Sequence, residues 1–287
     1  MRRLVLEAPA KINLTLDIIG KRPDGYHDLQ MVMQSISLCD TVTICPETGD
    51  GKISVSTCGA DLPDGPGKLA WKAAKSFFNA TKISGVSVRI YLEKRIPMQA
   101  GMAGGSTDAA AVLRGLRTLC CPGMSEEDLE NVGAAVGSDV PFCVRGGTAL
   151  ADGRGERLTS LTSIPHCWIV VCKPGFGLPT PVLFSRVQME NLRNRPDNMA
   201  MLAALGKGSL PMIADELGNI FEQVLLPEER EEIFAVKKSM CWNGALNALM
   251  TGSGPTVFGL FDNRPAAEAA VKVLRERRKW VYLAEPI

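Results

Sequence analysis

The residues best suited to hold an anion lie in Ile96-Pro-Met-Gln-Ala-Gly-Met-Ala-Gly-Gly-Ser-Thr-Asp108. Three glycines and three small residues (Ala100, Ala103, Ser106) fall between Pro97 and Thr107. Glycine lets backbone approach an oxygen closely. A helix start adds unpaired N–H groups and the positive end of a dipole. Val86, Val88, Ile90 and Leu92 alternate and predict a strand leading in; Ala109, Val112, Leu113, Leu116 and Leu119 recur at helical spacing leading out. Ser106, Thr107 or Asp108 is placed to cap that helix. Strand, glycine-rich turn and helix in this order suit phosphate, although the same residues also suit a plain tight turn. The loop is neither a Walker A sequence nor a dinucleotide fingerprint, and the chain has no His-Arg-Asp or Asp-Phe-Gly of a protein kinase.

Other chemistry-bearing residues are spread along the chain. Lys11, in Ala8-Pro-Ala-Lys-Ile-Asn-Leu14, opens a predicted strand and from position alone reads as a solvated strand end. Tyr26 and His27 follow the turn Arg22-Pro-Asp-Gly25. A tyrosine packed beneath a loop competes there with an aromatic face and a ring nitrogen offered to a planar base. Asp139, in Gly137-Ser-Asp-Val-Pro-Phe142, is an acid among apolar neighbours, and a cap or hydrogen-bond acceptor as readily as a base. Gly252-Ser-Gly254 is either a simple hairpin turn or backbone that can approach phosphates or the glycine-rich loop. His166, beside Pro165, reads as a loop residue.

The elements that must position these residues follow from pattern. Strands are predicted over 3–7, 12–18, 31–45, 52–58, 86–93, 148–151, 168–172, 245–250, 257–261 and 280–283. Helices are predicted over 67–80, from the glycine-rich loop onward, from the capping box Ser125-Glu-Glu-Asp128, and over 181–190, 197–205, 209–224, 227–240 and 264–277. Strands and helices mixed without strict alternation give an α+β chain in two parts, with a boundary near residue 160. A length of 287 residues and a hydrophobic fraction of 46% support such a pair of cores. A net charge of +1 provides no field for nucleic acid or an acidic membrane. No apolar run approaches the ~18 residues of a membrane span. Met1-Arg-Arg-Leu-Val-Leu-Glu7 has a basic start but no apolar core, so no signal peptide is expected. Nine cysteines without a Cys-x-x-Cys pair, and two histidines, argue against zinc and for free, mostly buried thiols in a reducing cytoplasm.

Taken together, Ala8–Leu14, the glycine-rich loop, Gly137–Phe142 and Thr251-Gly-Ser-Gly-Pro-Thr-Val257 resemble the GHMP small-molecule kinases, from about residue 8 to 261. Asp24-Gly-Tyr-His27, with Pro9–Leu14 and Gly137–Phe142, points to the members that act on a cytidyl-diphosphate sugar alcohol. The resemblance implies a ribosomal-protein-S5-domain-2-like N-terminal ATP-binding domain (1–159), with a left-handed βαβ crossover, and a ferredoxin-like C-terminal domain (160–287). It places the active site in the cleft they form. The implied reaction moves the γ-phosphoryl group of ATP, with Mg²⁺, to the 2-hydroxyl of 4-diphosphocytidyl-2-C-methyl-D-erythritol. A homoserine or mevalonate type of kinase, or a non-catalytic nucleotide-binding relative, are the other readings.

By the same resemblance Pro97, Met98, Gln99, Ala100, Gly101, Met102, Ala103, Gly104, Gly105, Ser106 and Thr107 would wrap the triphosphate. Ser106 or Thr107 would lie near the Mg²⁺, whose full ligand set the sequence leaves open. Asp139 would take the proton of the attacking hydroxyl. Lys11 would orient Asp139 and offset developing negative charge. Tyr26 and Phe184 would stack on the cytosine, with His27 at its polar edge and Thr180 nearby. Asn13 would meet the substrate near its reacting end. Met102, Ala103 and Thr107 stand where Leu, Gly and Ser are frequent in the family, each keeping bulk, smallness or hydroxyl. Lys68 stands where an asparagine usually lies near adenine, which leaves that contact without its usual residue.

Overall fold

The computed structural model describes residues 2–59 and 68–287. In chain order the strands and helices are β1 (Leu4–Lys21), β2 (His27–Thr48), β3 (Ile53–Cys58), α1 (Leu69–Thr81), β4 (Val86–Glu93), α2 (Gly104–Cys120), α3 (Glu126–Ala134) and α4 (Val140–Arg145). There follow β5 (Thr148–Gly153), β6 (Arg157–Ser160), β7 (Trp168–Lys173), α5 (Thr180–Ser185), α6 (Asn198–Gly206), α7 (Leu210–Asp215) and β8 (Gly218–Asn219). The last are α8 (Pro227–Trp242), β9 (Asn247–Met250), β10 (Val257–Phe261), α9 (Arg264–Arg275) and β11 (Trp280–Ala284). They gather into two compact units, neither of them one stretch of chain. The first is Met1–Ala10, Cys39–Ile96 and Ala103–Gly146; the second is Lys11–Leu38, Pro97–Met102 and Gly147–Ile287.

In the first unit β3 runs parallel to β4, with Ile53 opposite Val88, and α1 makes the crossover. On its other side β4 pairs antiparallel with β2, Thr41 opposite Glu93. Val88, Ile90 and Leu92 are buried together, as strand alternation requires. Helix α1 buries Ala70, Ala73, Ala74 and Phe77, and α2 buries Ala109 through Leu113 and Leu116. Alanine stripes let helices approach closely. Gly115 extends the same logic: a Cβ there would come within 2.3 Å of Ile44 Cδ1 and 2.9 Å of Leu6 Cδ1. The cost of a mid-helix glycine, about 1 kcal/mol, is offset by seating α2 against β1 and β2. Ser125 caps α3 by accepting the Asp128 N–H at 3.0 Å.

In the second unit β7, β9, β10 and β11 form an antiparallel sheet of order β11-β7-β10-β9, with α8 before β9 and α9 before β11. That βαββαβ order is the ferredoxin-like arrangement, as expected. Elsewhere in this unit β1 pairs parallel with β8, Leu16 opposite Asn219, while β2 pairs with β5 and β5 with β6.

Several expectations are corrected. Strands 3–7 and 12–18 are one strand, because Pro9 has a φ compatible with extended chain and does not break it. The stretch 209–224 is not one helix: α7 stops at Asp215, β8 follows, and Ile220–Val224 is a 3-10 turn capped by the Asn219 side chain. Helix α4 and strand β6 have no counterpart among the elements expected from pattern. The expected start of α1 at Gly67 lies outside the described residues. Helix α2 starts at Gly104, so Ser106, Thr107 and Asp108 lie within it and none caps it; Ala103 occupies the cap position with φ +58° and no side-chain bond. None of the nine cysteines forms a disulfide, but only Cys143, Cys167 and Cys172 are buried. Burial pushes the Cys167 and Cys172 thiols up to about 12, which rules them out as ready nucleophiles. No helix among the described residues is long and apolar enough to cross a membrane.

Candidate active site

The glycine-rich loop passes from the second unit to the first at Met102 and Ala103. In the second unit Gly101 has φ +71°, and a Cβ there would sit 2.3 Å from the Thr251 carbonyl oxygen and 2.9 Å from the Gly254 nitrogen. Only glycine fits. The turn at 252–254 is thus both the β9–β10 hairpin and the wall behind the loop. The Lys11 N–H donates to the Met102 carbonyl at 3.3 Å.

In the first unit the start of α2 has no side-chain cap. Its first N–H groups are left for a ligand or solvent. The Thr107 hydroxyl, fully buried, donates to the Pro9 carbonyl at 2.6 Å. Ser106 is half-buried and its hydroxyl has no hydrogen bond among the described residues. A Cβ at Gly104 would meet Ile96 Cγ2 at 3.1 Å, and one at Gly105 would meet Leu69 Cδ1 at 3.4 Å. Protein packing therefore also constrains Gly104, whereas a Cβ at Gly105 would make ordinary contact.

Lys11 is not a solvated strand end. It is 4% exposed, and its Nζ donates to Asn13 Oδ1 at 2.6 Å. Asn13 is fully buried; its N–H donates to Thr251 Oγ1 at 2.9 Å. Asp139 precedes α4 and is half-buried, but its side chain makes no capping bond. It takes no hydrogen bond from any described residue. The cap and acceptor readings of this carboxylate are thereby removed.

Two other carboxylates in the first unit share Lys94, and of these Asp40 is engaged at both oxygens while Asp108 Oδ1 is buried without a hydrogen bond. Asp40 accepts the Arg95 and Ile96 N–H groups, the latter at 2.9 Å, and pairs with Lys94. Lys94 Nζ also donates to Asp108 at 2.6 Å and to the Gly104 carbonyl at 3.3 Å. The Lys94 side chain is 5% exposed. Burial pushes the Asp108 carboxyl up to about 7, against the pull of Lys94, with nearby Asp40 adding to the rise.

The residues expected around a base occupy the second unit. His27 stacks on Phe184 at 5.1 Å and 21°, and Phe184 meets Phe221 edge-on at 4.9 Å. Burial, then the charge of Lys21, holds His27 below its ordinary value. Thr180 Oγ1 lies 2.8 Å from Ser253 Oγ. Tyr26 is not packed beneath a loop; it is exposed, with the Arg154 guanidinium 5.2 Å from its ring centre. The ring pair formed is His27 with Phe184, and Tyr26 stands apart from it. Lys68 Nζ bonds to Thr57 Oγ1. His166, near Glu285 and exposed, is a loop residue as expected.

Sequence reasoning missed Asp40, Lys94, Arg154 and Asn219, and named Thr251 only as part of its motif. Lys94 and Asp108 flank the loop and offered a signal. Asp40 lies 54 residues before Lys94, and only the fold joins them.

For Mg²⁺ the fit is with few protein ligands. Among the described residues no group of three His, Cys, Asp or Glu side chains could hold a metal. Mg²⁺ usually keeps waters and takes one or two protein oxygens plus substrate phosphates. The unpartnered Ser106 hydroxyl at the uncapped helix start suits that role better than Thr107, whose proton is committed.

Comparison with known proteins completes the picture. The family model described as GHMP kinases N terminal domain matches residues 68–147, and GHMP kinases C terminal matches 201–279. A 4-diphosphocytidyl-2-C-methyl-D-erythritol kinase of Exiguobacterium sibiricum is 44% identical over 280 residues, 98% of this chain and 96% of its own. One of Clostridium tetani is 41% identical over 282 residues, 98% of this chain and 99% of its own. A crystal structure of 4-(cytidine 5'-diphospho)-2C-methyl-D-erythritol kinase is similar with a TM-score of 0.81 at 34% identity, covering 99% of each chain.

Proposed function

This chain belongs to the GHMP kinase family, and from that premise we infer how its residues carry out the family's chemistry. It is an ATP-dependent small-molecule kinase that phosphorylates the 2-hydroxyl of 4-diphosphocytidyl-2-C-methyl-D-erythritol, giving the 2-phosphate and ADP in non-mevalonate isoprenoid precursor synthesis. Full-length identity to kinases of that name carries this assignment.

Phosphoryl transfer asks for positioning and for stabilised charge. Residues 97–107 bind the triphosphate, with glycine backbone at Gly101 and the open N–H groups of α2 as donors. Mg²⁺, when bound beside Ser106, neutralises phosphate charge. Asp139 accepts the hydroxyl proton. The absence of any hydrogen bond to its carboxylate among the described residues supports this role, because an acid without partners is free to take a proton. Lys11 offsets negative charge as it develops. Asn13 holds the reacting end of the acceptor. Phe184 and His27, already stacked, and Tyr26 with Thr180 receive the cytidyl group. Residues 1–159 are assigned as the ATP-binding domain and 160–287 as the C-terminal domain. Nine cysteines outside any disulfide suit a reducing cytoplasm.

Turnover with ATP on the cytidyl substrate, beside its uridyl and adenyl analogues, tests the reading. Phosphorylation of the cytidyl compound in clear preference to the others is expected. Equal use of all three would remove base recognition from the account, and no turnover would remove the activity.

A further inference from the structure

We propose that Asn219 is a positioning residue for phosphoryl transfer: its side chain holds the turn Thr251–Gly254, and that turn sets the donor loop at Gly101 and the acceptor side at Asn13 and Thr180 together. This rests on the roles proposed above for those residues.

The argument is one of shared attachment. Asn219 is 7% exposed, and its amide is fully committed. Nδ2 donates to the Met250 carbonyl at 2.6 Å and to the Gly252 carbonyl at 2.9 Å. These bonds bracket Thr251. Oδ1 accepts the Phe221 N–H at 3.0 Å and so caps the turn that carries Phe221. The bracketed residues then reach in three directions. Thr251 Oγ1 receives the Asn13 N–H at 2.9 Å. Ser253 Oγ lies 2.8 Å from Thr180 Oγ1. The Thr251 carbonyl and Gly254 nitrogen abut Gly101 so closely that no Cβ fits there, and Gly252, at φ +56°, has the Gly101 oxygen 2.5 Å from where its own Cβ would be. Phe221 in turn supports Phe184 edge-on. One buried amide is therefore linked, through the turn it holds, to Asn13, Thr180 and Gly101 and, through Phe221, to Phe184. A buried asparagine could do no more than satisfy two carbonyls. Here those carbonyls belong to the segment against which the donor loop is built, and a displacement of about 1 Å at a reacting centre can cost on the order of 10²-fold in rate.

Asn219→Ser is the informative variant. Serine keeps an oxygen near the Phe221 N–H and removes both donors to the turn. In a folded variant assayed well below its melting temperature, kcat is expected to fall about 10–100-fold. Dissociation constants for ATP and for the cytidyl substrate, by calorimetry, should stay within about threefold. Restoring an amide with Asn219→Gln should recover part of kcat. A merely structural asparagine would lower the melting temperature and leave kcat alone. Ser253→Ala, which removes one hydroxyl, provides a second arm should Asn219→Ser not fold; a measurable fall in kcat at unchanged ATP affinity is expected there too. Normal kcat in folded Asn219→Ser, or in Ser253→Ala if that is the only folded variant, overturns the proposal. So does a loss confined to substrate affinity. The wild-type control separates the two claims: no turnover sinks the proposed function and this inference with it, whereas normal turnover beside an unimpaired variant sinks the inference alone.

Discussion

Lys94 and Lys11 are both buried, and their surroundings differ. Lys94 sits between Asp40 and Asp108 and also reaches the Gly104 carbonyl. Lys11 has a neutral partner, Asn13. The acids divide in the same way. Asp40 is held by two backbone N–H groups and a lysine, whereas Asp139 is held by no described residue. A charge matched by an opposite charge is held in place; a charge with only neutral neighbours is left to meet a charged ligand. By this measure the cluster beside the loop is a clamp on the start of α2, and Lys11 and Asp139 are the two residues we propose for the chemistry.

The comparison can be broken most forcefully by kinetics. Asp139→Asn should lower kcat by about 10²–10⁴-fold, the usual contribution of a general base. Lys11→Met should lower kcat as well, because it removes charge from where negative charge develops. If the two work as one unit, the double variant will be little worse than the worse single one; losses that multiply would separate their roles.

Next in size is Lys94→Met. Removing one partner of a buried ion pair costs about 3–5 kcal/mol, and here two carboxylates would be stranded. Denaturant unfolding should show a loss of that order, and a loss under about 1 kcal/mol would mean that the cluster is not a clamp. A gentler probe is pH. Asp108 titrates near 7 in the folded protein, above the usual carboxylate value. Its proton therefore favours the fold, and that stabilisation, full below about pH 4, is lost as pH rises through about 7. Asp108→Asn mimics the protonated form and should flatten the stability change between about pH 5 and 8. An unaltered slope would place the titration elsewhere. The smallest effect is expected at Ala103, whose φ of +58° is left-handed. Ala103→Gly should relieve about 1 kcal/mol, read as a higher unfolding midpoint; a lower midpoint would show that the lost Cβ matters more.

What was legible in the sequence follows from how local its cause is. The alternation of Val86 to Leu92 fixed β4 to the residue, and Ser125 with Asp128 marked the start of α3. The βαββαβ order of the second unit was readable in outline. Pro9 misled, because a proline can end a strand or simply lie in one. The stretch 209–224 misled because Gly218 packs against Pro196 and Asn219 turns to the 251–254 segment, both tertiary facts. The site was legible as motifs and not as states. Sequence placed Lys11 and Asp139 in their motifs, but burial of the one and the free carboxylate of the other depend on chain brought in from elsewhere. The same holds for Asp40 beside Lys94 and Arg154 over Tyr26.

The most direct test sets Asp139→Asn beside Asp108→Asn in one assay, at saturating ATP and cytidyl substrate and about pH 8, where carboxylates of ordinary pKa are ionised. The account predicts that kcat falls about 10²–10⁴-fold in the first and stays within a few-fold of wild type in the second. Comparable losses in both, or a near-normal Asp139→Asn, would contradict it.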